Sequence, residues 1–277
     1  MYTPKTRYED FLKGEQEKYP ELNLEDIDAL KALVKANDKL PAVTNREIIL
    51  FLHSSYFNVE KAYAVLVNYF KYRKDIPQIF TRVDPLSDDM KDMFETMSFP
   101  IISAPYKGKE DRYVYTNFKK TDAKYFDYVK SAQLFFMVMD ALIIQHGTFE
   151  GVILTMDAKH LNWRHLTKIP MTLAKRLMEF VQDGLPIRLK AVHIVNAGSL
   201  AITLFNLLKP FMRSHFLDIV TLHSVGSTEV FKYVPLEYMP EEMGGQGKSH
   251  IEYFDETYEF MCLYRDWLLN FNEYPKD

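Results

Sequence analysis

Four patterns in the chain resemble chemistry, and each lacks a required part. The segment GGQGKS at 244–249 imitates a loop whose backbone amides cradle phosphate ahead of a lysine. Such a loop needs a glycine five places before Gly247, and Glu242 stands there, aiming a carboxylate at any triphosphate. Ser199 follows Gly198, yet no G-x-S-x-G turn surrounds it. His160 and His165 are five apart, a poor helical spacing for shared metal ligation, and no HExxH run occurs. Asp157 ends a strand-like run, a place where α/β enzymes keep catalytic groups, yet no set of acid, base or nucleophile accompanies it. Among the eight histidines no pairing stands out from surface or core use. The expectation is a protein without catalytic residues, metal or cofactor.

Composition narrows the class further. A hydrophobic share of 47% with 26% charged residues describes a globular chain with a sizeable core. The net charge of −4 argues against nucleic acid binding over the whole surface. One cysteine, Cys262, leaves no intrachain disulfide framework and fits a reducing compartment. No stretch reaches about 18 consecutive apolar residues, so membrane contact is expected to be peripheral.

The elements that would position a site run from Gly151 to Ser224. Apolar runs at 151–156, 189–195 and 217–222 alternate with helical-period segments, the pattern of a mostly parallel sheet with crossover helices. Runs at 99–104 and 112–118 open the sheet across the turn YKGKED, and Thr121 to His146 reads as one long apolar helix ended by Gly147. The helix LAITLFNLL from Leu200 has no polar face and must be buried all round or lie against lipid. It then turns basic and aromatic at Lys209 to Arg213, as the edge of a lid over an apolar cavity would; an ordinary core helix is the alternative. Upstream, Asn23, Thr44 with Glu47, Asn58 and Ser87 are placed to cap a series of helices. Alternation along the 187–191 strand sets Ile187, Leu189 and Ala191 on one face, able to line a cavity, and Arg188 and Lys190 on the other, facing solvent.

Several of these segments, in order, resemble the CRAL-TRIO family, in the branch of the tocopherol-transfer and retinaldehyde-binding proteins. They are GVILTMDAKHL, LPIRLKAVHIVN, FNLLKPFM, PLEYMPEEMGG and the upstream REIILFLHSSYFNVEKAYAVLVNYFKYRKDIP, covering roughly Leu24 to Gly245. The resemblance implies an α/β fold: a helical N-terminal module at 1–85, a CRAL-TRIO domain at 86–250 with a mobile lid helix over an apolar cavity, and a C-terminal helix at 251–277 packing back.

It also implies site residues. Lipid-lining positions fall on Leu134, Val138, Val152, Met156, Leu177, Phe180, Val181, Ile187, Leu189 and Val192, and the lid presents Phe205, Leu208, Phe211 and Met212. The tocopherol branch has serines where this chain has Leu134 and Val138, which implies a more apolar or differently anchored ligand such as a retinoid, carotenoid, sterol or other isoprenoid. Phosphoinositide-binding cations map to Arg188, Lys190 and His215, with the fourth position lost to Ile219 and Arg213 close by as a substitute. A basic cluster usual before the Asn58 cap is replaced by His53, Ser54, Ser55 and Tyr56, which would only pack the module onto the main domain.

The function so implied is cytoplasmic binding of one hydrophobic lipid by a monomer that docks transiently on anionic or phosphoinositide-containing membranes and releases its cargo by lid opening. The alternative is a module that senses phosphatidylinositol and acts through a protein partner.

Overall fold

The N-terminal helices start where the caps direct. In the computed structural model, which describes residues 2–81, 83–106 and 109–269, Asn23, Asn58 and Ser87 each accept a backbone amide of the first turn they precede. Thr44 and Glu47 close a reciprocal capping box, satisfying two amides that a helix start otherwise leaves bare. The helices Tyr8–Lys18, Leu24–Lys35, Asn45–Ser54 and Val59–Asp75 bury Phe11, Ile27, Leu30, Ile49 and Leu66 in a core that also takes Phe136, Leu173, Leu177 and Phe180 from later elements. That core therefore runs across the boundary near residue 85.

Six strands form the sheet: β1 (Met97–Ser98), β2 (Ile101–Tyr106), β3 (Lys109–Phe118), β4 (Val152–Asp157), β5 (Leu189–Val195) and β6 (Val220–Leu222). β1 and β2 pair antiparallel with β3, and β3, β4, β5 and β6 then run parallel in that order. The crossovers supply the covering helices, as parallel pairing requires. One face packs Val114 and Val152 against Met139 and Leu142 of the helix Tyr128–His146. The opposite face packs Ile102, Tyr113, Ile153 and Val195 beneath Val230, Val234 and Met239 from the irregular stretch after β6.

Some boundaries move. The long helix begins at Tyr128, capped by Asp127, so Phe126 belongs to the turn before it. The last strand starts at Val220, because Ser214–Leu217 turns as a short helix. GGQGKS is an entry turn: Gly244 adopts φ +89, a side chain at Gly245 would meet the Met239 carbonyl, and Ser249 caps the helix His250–Leu263 in a box with Glu252. A further helix, Arg265–Leu269, anchors through the Arg265 guanidinium on Asp84. The last residues of the C-terminal helix expected at 251–277, from 270 onward, and Lys107 and Gly108 of the YKGKED turn, lie outside the described residues.

Candidate binding cavity

Between the front of the sheet, the helices Tyr128–His146 and Met171–Asp183, and the helix Ser199–Leu208 lies a cavity of about 360 Å³. Its walls are almost wholly apolar. The sheet contributes Val152, Leu154, Met156, Leu189, Val192 and Ile194; the Met171–Asp183 helix gives Leu177, Met178 and Val181; and Ile187 lies just before β5. Leu204, Phe205, Leu208 and Met212 close it from above. Such a space binds by removing apolar surface from water, not by making polar contacts.

Seven of the ten implied lining positions, Val152, Met156, Leu177, Val181, Ile187, Leu189 and Val192, stand on this wall. Leu134 and Val138 do not. Both are fully buried in a core with Met90, Met93 and Phe254, on the side of their helix turned away from the cavity. Their helix presents Ser131, Ala132, Phe135, Phe136 and Met139 instead. Because it is apolar on every side, periodicity cannot tell which side meets the cavity. The argument from Leu134 and Val138 to a ligand more apolar than tocopherol therefore falls. Phe180 is also core, packed among Tyr69, Tyr72, Phe80 and Phe136.

Alternation along β5 fails at one place for a clear reason. The register slips between Val152 and Ile153, so Leu189 pairs with Val152 but Ala191 with Ile153, and Lys190 is the extra residue of a bulge. Ala191 turns to the opposite core, and Val192 takes the cavity position.

The helix Ser199–Leu208 is neither buried all round nor an ordinary core helix. Ala201 is its one buried residue, while Ile202 is 45% and Leu207 52% exposed on the side away from the cavity. Phe211 is not part of the cavity wall; Lys175 lies 5.2 Å over its ring and Gln182 donates to its carbonyl at 3.1 Å.

The cations do not form the expected solvent-facing set. The Arg188 guanidinium lies 4.2 Å over the Tyr56 ring, donates to the His53 carbonyl at 2.9 Å, and has its pKa lowered by burial. The His53–Tyr56 corner thus clamps Arg188, with Tyr56 and Phe57 both at positive φ to make the turn. Lys190 is 2.7 Å from Asp111, and Arg213 is 2.5 Å from Asp183. His215 stays exposed.

Asp157 ties β4 to its neighbours, accepting from Tyr115 at 2.9 Å and Asn196 at 2.8 Å. His165 is buried and accepts from the Asn162 amide. A line that sequence reading missed joins Ser98 Oγ to His250 Nδ1 at 2.8 Å, with Glu242 3.6 Å from Nε2. The residues are 152 apart in sequence, and no local motif marks them. Ser98 is fully buried and also donates to Asn117, so no substrate reaches it and the line serves to hold β1 to the C-terminal helix. Among the described residues no group of three side chains could hold a metal ion. No helix there is long and apolar enough to cross a membrane.

This architecture agrees with what the chain is similar to. The CRAL/TRIO domain family matches residues 101–245, just over half of the chain. The chain belongs to the CRAL-TRIO family. With that membership comes lipid binding and transfer in general terms. A Pinta-like UBA domain matches residues 19–90 in the helical N-terminal part. The alpha-tocopherol transfer protein-like protein of Homo sapiens is 24% identical over 243 residues, 84% of this chain and 68% of that one. Clavesin-1 of Rattus norvegicus is 24% identical over 207 residues, covering 72% of this chain and 56% of its own length. Among solved structures, Sfh5 matches with a TM-score of 0.47 at 14% identity, over 84% of this chain and 75% of that one.

Proposed function

We propose that this CRAL-TRIO protein is a non-enzymatic carrier that binds one hydrophobic lipid in the cavity and passes it to a membrane when the helix Ser199–Leu208 moves. The observation that carries the reading is that this helix, apolar toward the cavity, also exposes two large apolar side chains on its outer side, beside Thr203 and Asn206. Leu204, Phe205 and Leu208 face the cavity while Ile202 and Leu207 face out. A helix so built has an apolar partner inside and needs another outside, and a bilayer offers one. At about 0.8 kcal/mol per buried CH₂, a ligand of about a dozen methylene units gains on the order of 10 kcal/mol before ordering costs, so release requires a competing apolar phase.

Phosphoinositide steering by Arg188, Lys190, Arg213 and His215 is not part of this reading, since three of the four already have partners within the chain. Native mass spectrometry of protein purified from its source tests the proposal. A co-purifying isoprenoid or similar neutral lipid supports the carrier. Phosphatidylinositol in its place would favour a headgroup-sensing module, and the absence of any bound lipid together with no uptake of fluorescent lipids would sink both.

A further inference from the structure

We propose that the surface formed by the loops after β3 and β4 is a docking face for anionic bilayers. The chain carries net charge −4, yet Lys119, Lys120, Lys124, Lys159, Arg164 and Lys168 gather in two short segments. β3 and β4 are parallel neighbours with Thr116 opposite Met156, so both segments leave the same edge of the sheet. Direct contacts join them: Lys168 Nζ donates to the carbonyls of Lys124 at 3.1 Å and Phe126 at 2.8 Å, and His165 packs 4.5 Å from the Phe118 ring.

Little of this charge is neutralised. Lys124 pairs with Asp122 at 3.5 Å, and Arg164 lies near enough to help hold the same carboxyl low; Lys119, Lys120, Lys159 and Lys168 have no ion-pair partner among the described residues. This contrasts with Lys190 and Arg213, each held by an acid.

Aromatic side chains lie among the cations. Tyr125 is 47% exposed with Lys120 and Lys124 at 5.2 and 4.7 Å from its ring centre, and Trp163, 63% exposed, opens the short helix that bears Arg164. Exposed Trp and Tyr beside lysines suit the interface of a bilayer with anionic headgroups: the rings sit at headgroup depth and each cation adds attraction. The same segments line the cavity from inside with Phe118, Phe126, Leu161 and Ile169, so docking here sets one end of the cavity against the membrane. The purpose of docking rests on the carrier reading; the docking itself is measured without ligand.

The chain has two tryptophans, and the other, Trp267, is buried, so emission from Trp163 reports on this face. Vesicles of phosphatidylcholine alone are compared with vesicles holding about one third phosphatidylserine, a strongly anionic surface. Expected are co-sedimentation and a blue shift with the anionic vesicles alone, both weakened by salt, and loss of the shift in Trp163→Phe with binding largely kept. Combining Lys120→Glu, Lys124→Glu and Arg164→Glu should weaken partition at least about 100-fold, given about fivefold per cation near the surface. The Gln versions, which only remove the three charges, should give about that 100-fold loss, with the reversed set beyond it, and serve if the reversed variant does not fold. Equal binding to neutral vesicles, unchanged binding by both variant sets, or the same shift produced by RNA or polyglutamate without a bilayer would each overturn the proposal. Uptake of a fluorescent lipid is scored separately: docking without uptake refutes the carrier and leaves this face standing.

Discussion

Lys190 Nζ lies 2.7 Å from Asp111 Oδ1 and 3.7 Å from Glu150 Oε2, so the bulged cation of β5 serves a carboxylate inside the protein. The Asp111 side chain is wholly shielded from water, and burial pushes its carboxyl upward while Lys190 pulls it back. Removing the ammonium alone leaves a buried charge without compensation. Lys190→Ala should therefore cost about 3 kcal/mol of stability, and Asp111→Asn in the same chain should recover much of it. Urea midpoints check both. A transfer defect in Lys190→Ala accompanied by wild-type stability would instead restore Lys190 as a membrane contact.

Val181 and Leu177 stand one turn apart on the Met171–Asp183 helix, and both face the cavity. Leu177 also belongs to the N-terminal core, whereas Val181 is only partly buried beside it. Val181→Trp should lower lipid uptake severalfold with little loss of stability, because it adds volume where ligand sits. Leu177→Trp should lower uptake and stability together. For contrast, Leu134→Ala should cost about 2 to 5 kcal/mol as a core cavity and leave ligand preference alone. Fluorescent lipid titrations paired with thermal melts decide, and a change of ligand preference in Leu134→Ala would put that residue back on the wall.

How far the sequence reaches depends on the kind of signal. Caps at Asn23, Thr44, Asn58 and Ser87 are local, since the side chain and the amide it accepts are three residues apart, and they fold as read. The parallel sheet follows from apolar runs spaced by helices. What could not be read are relations that need the third dimension: which side of an all-apolar helix meets the cavity, a bulge at Lys190 that reverses the parity of β5, and a Ser98 to His250 contact across the fold. Charge pairing is equally opaque. Arg188 and Lys190 look free in sequence because their partners, His53, Tyr56 and Asp111, lie far away along the chain.

His193 Nδ1 and His223 Nε2 are 3.0 Å apart in the core behind the sheet, beside the Tyr233 ring. Burial, and then the neighbouring His223, hold the His193 pKa down at about 4, below its unfolded value of about 6.5. Between those values the unfolded chain binds more protons at this site, so its contribution to stability is full above the unfolded value and declines as pH falls toward the folded one. Relative to His193→Asn, the wild type should lose about 1 to 2 kcal/mol more stability between pH 7 and pH 5. Denaturant curves at the two pH values measure the difference. Parallel pH dependence in both chains would show that His193 is not held neutral.

The turn that follows the helix Ser199–Leu208 is fastened by three contacts to the end of one helix, Met171–Asp183. Gln182 donates to the Phe211 carbonyl at 3.1 Å and accepts from the Arg213 amide at 2.8 Å, and the Arg213 guanidinium meets Asp183 at 2.5 Å. Among the described residues no hydrogen bond or ion pair from another element holds the outer side of Ser199–Leu208, where Ile202 and Leu207 face water. If the helix swings to place those residues in a bilayer, the latch at Gln182 and Asp183 has to let go or act as the hinge. Amide exchange in 199–208 should rise when liposomes are added to the loaded protein, while exchange in β4 and β5 stays slow. Gln182→Ala removes two of the fastenings and should speed lipid transfer about 2- to 10-fold, the equivalent of roughly one net hydrogen bond, if the latch must open. Should the segment 209–213 act as the hinge, the same variant should slow transfer and leave exchange of the lid unsynchronised with ligand release. Transfer at the wild-type rate in Gln182→Ala, together with unchanged protection of 199–208 on liposomes, would mean that lipid enters and leaves by another route.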